Sequence, residues 1–420
     1  MSCARRAIRP ARSDMPPSAS TDLAASRLAD RAIELLGTLV AFDTTSHRSN
    51  LELIDWVESY LAGHGVAAQR IPSASGSKSN LLATVGPAEA GGVVLSGHTD
   101  VVPVEGQTWS SEPFVLTRRG ERLFGRGACD MKGFLALALA AVPDILAAGP
   151  RRPAHLAFSY DEEIGCLGAP SLIQRMAETL PTPSLVLIGE PTNLNVAVAH
   201  KGILYYEVVV RGREAHSSQP QLGASAIMTA VRLMAALERL AERLEAEAEP
   251  DSLFEPAWPT LTIGTVGGGT APNILARDCR FVFDLRAPAG VDTDAALAEF
   301  MALAAAEDAA LKARAPDGGV TVKRIADVPA FEATRGGGAE ALARRLAGDN
   351  GPAQTVSFGT EAGQFQAAGL PVILCGPGSI DQAHQPDEYV EVAQMQRGAD
   401  MMLRLAAELA GSHARGAGAP

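Results

Sequence analysis

Paired cysteines are missing from this chain. Its five cysteines, Cys3, Cys129, Cys166, Cys279 and Cys375, are odd in number, widely scattered and without a CxxC pair. That argues against a disulfide framework and a thiolate zinc finger, and it fits a reducing cytoplasm. Aromatics are scarce at 5% of residues, and no segment has the uninterrupted apolar length of a membrane span. Positive charge is in deficit, since 36 Lys and Arg face 48 Asp and Glu for a net charge of −12. Nucleic acid and anionic membranes are therefore poor partners, and small molecules better ones. The glycines of GRG (125–127) and GGG (267–269) lack the Gly and Lys spacing of a phosphate loop. No glycine-rich strand-to-helix turn is followed at the right distance by an acid, so a nucleotide-binding protein is not indicated. The first twenty residues, MSCARRAIRPARSDMPPSAS, are basic and rich in Pro and Ser without an apolar h-region. They read as a disordered extension, with Met15 as an alternative start.

What is present is enough chain, 420 residues, for two domains. SRLADRAIELLGTLVAF and LELIDWVESYLAG have helical periodicity. Beyond them the short apolar runs NLLATVG, GGVVLSGH, HLAFSY and SLVLIGE alternate with helical stretches, the longest from Gly133 to about Ala148. Strands written as continuous apolar runs are covered on both faces, which predicts an α/β fold with a mixed, mostly parallel sheet between helices. After Lys201 the pattern changes. ILYYEVVVRGRE alternates like a half-exposed strand, and a helix, two strands, a helix and the strand VTVKRI follow. That β-α-β-β-α-β order predicts a ferredoxin-like α+β domain, residues 203–328, inserted in a catalytic domain made of 21–202 and 329–420. Its open sheet edges invite a second copy, making a homodimer the expected partner state.

Polar residues gather where the apolar runs end, which is where open α/β sheets bind ligands. His98 and Asp100 follow GGVVLSG, Asp130 lies in FGRGACDMKG, Glu162 and Glu163 follow HLAFSY, Glu190 ends SLVLIGE, and His384 follows PVILCGPG. Imidazole and carboxylate without thiolate suit zinc or a similar divalent ion at a catalytic site. The ligands are too many for one ion, whereas two ions bridged by a carboxylate account for all of them, and paired metals activate water. The run Asp161-Glu162-Glu163 would otherwise be self-repelling. Successive residues leaving a strand point apart, so one glutamate can bind metal while the other serves as general base.

The motifs SGHTDVVP, GRGACDMKG, DEEIGC and GEPT, in this order, resemble the M20 family of dinuclear zinc amidohydrolases and peptidases, from about Thr21 to the C-terminus. The resemblance implies two zinc ions, with cobalt as a possible substitute. His98 and Glu190 would bind one, Glu163 and His384 the other, and Asp130 would bridge them. It further implies that Asp100 orients His98 and that Glu162 is the general base. His216 in GREAHSSQPQLGASA would reach a partner subunit's site and stabilise an oxyanion, while Asn273 and Arg286 would hold a substrate carboxylate. Within the family, FGTEAGQFQAAGLPVILCGPGSIDQAHQPDEYV and IGEPTNLNVAVAHKG resemble the branch that deacetylates N2-acetyl-L-ornithine in arginine biosynthesis more than the desuccinylase or carboxypeptidase branches. Glu361 would then reach the pocket near a substrate amine. Other amide hydrolysis within the family is the nearest alternative. A non-catalytic zinc-dependent assembly protein is another, opposed by the intact Glu162. Plainer readings also exist residue by residue: His47, His64 and His413 as solvated side chains, His216 as a loop cap, Arg286 as half of an ion pair, and Cys129 as turn packing.

Overall fold

A computed structural model describes residues 19–411. The expected disordered extension lies outside the described residues, except that its last two positions already belong to the helix Ala19–Ala41. Among the described residues, no helix is long and apolar enough to cross a membrane.

The larger sheet runs Ala68–Pro72, Ser79–Val85, Ala154–Ser159, Val93–His98, Leu185–Pro191, Val372–Gly376, Ala197–His200, Phe331–Glu332, with Gln354–Val356 pairing to Ala197–His200. The four strands from Ala154–Ser159 to Val372–Gly376 are mutually parallel, while both margins close with antiparallel pairs. Each central strand is buried along its whole length, because successive side chains enter different cores. Val93, Leu95, Leu185 and Leu187 pack with Leu36, Phe134 and Met395 on one face. Val94, Ala157, Val186 and Ile188 pack with Leu172, Ile173 and Phe365 on the other. Helices cover both faces, as continuous apolar strands require. Gly189 permits the closest of these approaches, since a Cβ there would lie 1.9 Å from Phe134 Cγ.

One expected element divides. The stretch predicted as a single helix from Gly133 forms Lys132–Ala140 and Val142–Ala147. Pro143 is the cause, because it has no N–H and its ring crowds the carbonyl of residue 139. The freed carbonyls find other donors: Tyr60 Oη gives a hydrogen bond to Leu139 O at 3.2 Å and Arg31 Nε to Ala140 O at 2.9 Å.

The chain between Ala197–His200 and Phe331–Glu332 builds a second, antiparallel sheet in the order Thr260–Gly268, Asp278–Ala287, Gly202–Arg211, Gly319–Val328. Residues of Gly202–Arg211 alternate between buried and half-buried. Tyr206, Val208 and Val210 join Phe281, Phe283 and Leu285 in a separate core beneath the helices Ala226–Ala246 and Thr293–Arg314. Both helices start on a side-chain cap, Ser225 accepting from Met228 N and Asp292 from Ala295 N, which satisfies an otherwise orphaned amide. A third, small sheet of Tyr389–Glu391, Arg122–Phe124 and Thr117–Arg119 brings the turn at 125–130 against residue 388.

Candidate metal centre

Because four strands run parallel, their C-terminal ends share one rim. His98 is the last residue of its strand, Glu190 the next to last of its own, and Glu162 and Glu163 leave the end of Ala154–Ser159. Asp130 comes from the turn before Lys132–Ala140, and His384 from the loop after Ile380–Gln382, in left-handed backbone at φ 62°. The rim assembles two groups of candidate ligands, His98 with Asp130 and Glu190, and Asp130 with Glu163 and His384. His98 Nε2 lies 3.0 Å from Asp130 Oδ1 and 3.9 Å from Glu190 Oε1. His384 Nε2 lies 3.3 Å from Asp130 Oδ2 and 3.0 Å from Glu163 Oε2. Asp130 therefore offers one carboxylate oxygen to each group.

The three consecutive acids separate at once. Asp161 turns back in left-handed backbone and pairs with Lys78, whose ammonium also bonds Ser46 O. Glu163 faces His384, and Glu162 accepts a hydrogen bond from Cys166 Sγ at 3.4 Å. Asp100 holds the pair from below, for its carboxylate accepts the backbone N–H of Glu162 at 3.1 Å, that of Glu163 at 3.3 Å, and the Ser46 hydroxyl at 2.7 Å. His98 Nδ1 is oriented chiefly by the Asp100 carbonyl, at 2.9 Å, with the Asp100 carboxylate further off at 3.6 Å. Either acceptor keeps a hydrogen on Nδ1 and aims Nε2 at Asp130 and Glu190, so that on losing its proton Nε2 would present its lone pair there.

Four carboxylates share this buried rim, and each buried ion costs several kcal/mol to desolvate unless it is compensated. The electrostatics carry that signature. Burial, reinforced by Asp130, Glu162 and Glu163, pushes the Glu190 carboxyl well up, and burial likewise raises Glu162. For His384 burial opposes protonation, but the Asp130 and Glu163 carboxylates outweigh it and lift the imidazole to about 11. His98 is raised in the same way against the same opposition. Protein alone thus neutralises the cluster by holding protons on the imidazoles, and a divalent cation can replace those protons. The donor set fits such ions: oxygens and imidazole nitrogens converge, and Glu163 Oε1 is buried with no hydrogen-bond partner.

A pocket of about 90 Å³ opens over the rim, walled by Asp130, Glu162, Glu163, Glu190 and His384 on one side and by Tyr205 and Arg286 of the second sheet on the other. Arg286 combines both readings of it, since it lines the pocket while donating to Asp284 Oδ2 at 2.8 Å and to the Tyr205 hydroxyl at 3.4 Å. His216 and Asn273 are not on this wall. They are exposed neighbours in the second sheet's loops, joined by the bond from Ser217 N to Asn273 O at 3.0 Å. Glu361 is 1% exposed and stands behind the wall, where burial pushes its carboxyl up to about 7. Cys129 donates its thiol to Ser379 O at 3.3 Å and packs in the turn, away from the ligand groups.

The sequence reading passed over several residues that shape the rim, among them Ser46, Lys78, Arg126, Cys166, Tyr205 and Glu388. Glu388 had one available signal, an acid four residues after His384 in HQPDEYV, but acids in loops are common and only its complete burial sets it apart.

The model of peptidase family M20/M25/M40 matches residues 94–408. The chain belongs to this family. Among M20 relatives, the acetylornithine deacetylase of Myxococcus xanthus is 36% identical over 388 residues, covering 90% of this chain and 97% of the relative. That of Proteus mirabilis (strain HI4320) is 34% identical over 374 residues, covering 88% and 92%. The crystal structure of human carnosine dipeptidase 1 superposes with a TM-score of 0.73 at 18% identity, covering 93% of this chain and 99% of that one. The last likeness concerns the fold alone.

Proposed function

We propose that this M20 chain is a metal-dependent deacetylase that hydrolyses N2-acetyl-L-ornithine to L-ornithine and acetate, feeding arginine biosynthesis in the cytoplasm. The observation that carries the proposal is the shared Asp130 carboxylate between two imidazole-carboxylate groups, with Glu162 beside them in a pocket closed by Arg286. In this reading His98 and Glu190 would hold one ion, Glu163 and His384 would hold the other, and Asp130 would serve both; zinc or cobalt suits the donors. When bound, such a pair supplies Lewis acidity that polarises the acyl carbonyl and acidifies water.

The rest falls to the chain's own groups. Glu162 takes the proton from the attacking water and returns it to the departing α-amine. Burial raises its carboxyl and bound cations would lower it, so the balance of the two sets its readiness to take a proton. Arg286, on the pocket wall, is assigned to the substrate α-carboxylate, for which a guanidinium fork is well shaped; Asn273, off that wall beside His216, would join it only from across a dimer. Glu361, behind the wall, contributes negative potential toward the δ-ammonium of ornithine rather than contact. The likeness to the acetylornithine deacetylases of Myxococcus xanthus and Proteus mirabilis favours a short acyl group. N2-acetyl-L-ornithine is therefore expected to give a higher kcat/KM than N-succinyl-L,L-diaminopimelate or a dipeptide, measured with one metal at one pH. A preference for either competitor would move the protein to another activity of its family while leaving the metal chemistry in place.

His216 lies off the wall of its own pocket, and the second sheet is assigned a lid and dimerisation role. Its edge strand Thr260–Gly268 pairs on one side only. Beside that edge is an apolar groove of about 490 Å³ lined by Val231, Met234, Leu261 and Ile263, which suits a second copy. His216 Nδ1 accepts the Ser218 N–H at 3.2 Å, so the ring hydrogen sits on Nε2, a donor for a developing oxyanion across the dimer. His216→Ala should lower turnover without metal loss. Mixing it with Glu162→Gln subunits should recover activity, because heterodimers hold one site with an intact base and a donated imidazole. No recovery after verified subunit exchange would place His216 in its own subunit's site or outside catalysis.

A further inference from the structure

Away from the ligands themselves, Arg126 and Glu388 are charges buried against each other, each 1% exposed. Their carboxylate and guanidinium meet at 2.7 Å, between Glu388 Oε2 and Arg126 Nη1. Glu388 takes more than this one bond. Its Oε2 also accepts Gly127 N at 3.1 Å, and its Oε1 accepts Cys129 N at 2.9 Å and Asp130 N at 3.1 Å. One side chain thus binds three amides of the turn that presents Asp130, including the amide of Asp130 itself. Arg126 faces the other way. Its Nη1 reaches Gln385 O at 3.4 Å, its Nη2 gives Gln107 Oε1 a bond at 2.5 Å, and Gln107 Nε2 donates to His384 O at 2.9 Å. Trp109 stacks 5.0 Å from the guanidinium carbon and covers the pair.

We infer that Arg126 and Glu388 are positioning residues that lock the Asp130 turn to the His384 loop and thereby set the affinity of the centre formed by Asp130, Glu163 and His384. The chemistry explains why an ion pair is used. A lone glutamine could not accept four hydrogen bonds through both terminal atoms, since one of them is itself a donor. A buried carboxylate without a counterion would be disfavoured, which calls for Arg126. His384 needs the support most. Its side chain is 51% exposed, its backbone is left-handed, and no regular element holds it. His98, by contrast, ends a fully buried central strand, so its centre shares only Asp130 with the elements the pair locks and depends on the pair less. The inference rests on the two-ion reading proposed above.

The test is titration of metal-free protein with Co2+, following bound metal per chain and the visible absorption of each equivalent, in wild type, Glu388→Gln and Arg126→Lys. Wild type should take two equivalents. Both variants should weaken one equivalent about 10- to 100-fold, the usual scale for partners of metal ligands, with its absorption altered, while the other, which shares only Asp130 with the locked elements, weakens much less. Arg126→Lys keeps the charge, loses the fork, and decides the matter alone should Glu388→Gln fail to fold. Two equivalents bound with unchanged affinities and spectra would overturn the inference. So would a parallel weakening of both equivalents that tracks a lowered Tm of the metal-free protein, which would make the pair a general stabiliser. Fewer than two equivalents in wild type would instead refute the two-ion reading itself.

Discussion

Glu162→Gln is expected to reduce kcat by about two to four orders of magnitude, the range lost with a general acid–base group, while metal content stays at the wild-type level. The reason is geometric. Glu162 is in neither candidate ligand group, although it stands on the pocket wall beside both. Its amide position is set by the Asp100 carboxylate and its own carboxylate meets Cys166 Sγ, contacts that glutamine can keep. Glutamine cannot accept a proton at neutral pH. Glu163→Gln is the control, because its Oε2 approaches His384 and its Oε1 has no other partner, so that variant should lose affinity for one ion. Kinetics combined with metal analysis of the two proteins separates the roles. An exchange of the two phenotypes would reverse the assignment of base and ligand, and equal metal loss in both would make Glu162 a ligand as well.

Exhaustive chelation should abolish hydrolysis altogether, and zinc or cobalt should restore it. Full turnover by demonstrably metal-free protein would end the proposed mechanism. The direction of the pH effect on reconstitution also follows. Without metal, the Asp130 and Glu163 carboxylates hold His384 protonated, with its pKa lifted from 6.5 to about 11. A raised histidine pKa means that the imidazolium pairing is fully present below pH 6.5 and is lost as pH climbs through 11. Across that window metal must displace a proton to bind His384, so affinity should rise with pH. Titrations at pH 6 and pH 8 with the same metal check this, and a pH-independent affinity would mean that His384 is not a ligand. The metal-free protein should stay folded at neutral pH, because protonated His98 and His384 can compensate the carboxylates in the absence of cations.

Much of this is legible in the amino-acid order alone. Continuous apolar runs such as VVL in Val93–His98 and LVLI in Leu185–Pro191 announced strands covered on both faces, because a strand that loads two cores has no polar phase. The alternation in ILYYEVVVR announced a sheet with one core. The divided helix was written in Pro143 and was missed because the Ala and Leu periodicity on either side continues across it. For Glu361 the residue order is silent on burial: it sits 1% exposed just ahead of the short helix Ala362–Ala367, and that depth depends on packing which no residue pattern reports.

By itself the sequence determined the kinds of donor available and the strand ends that would carry them, since local periodicity dictates where each apolar run stops and a polar side chain begins. Only the tertiary structure decided the distances. The parallel order of four strands put residues up to 286 positions apart, His98 and His384, on either side of one carboxylate. It also decided which of three adjacent acids faces Lys78, which faces His384 and which remains beside the pocket. Burial, finally, converted Arg126 and Glu388 from ordinary loop charges into a fully desolvated pair. Desolvation depends on everything that packs around a group, and neighbours in the chain are a small part of that.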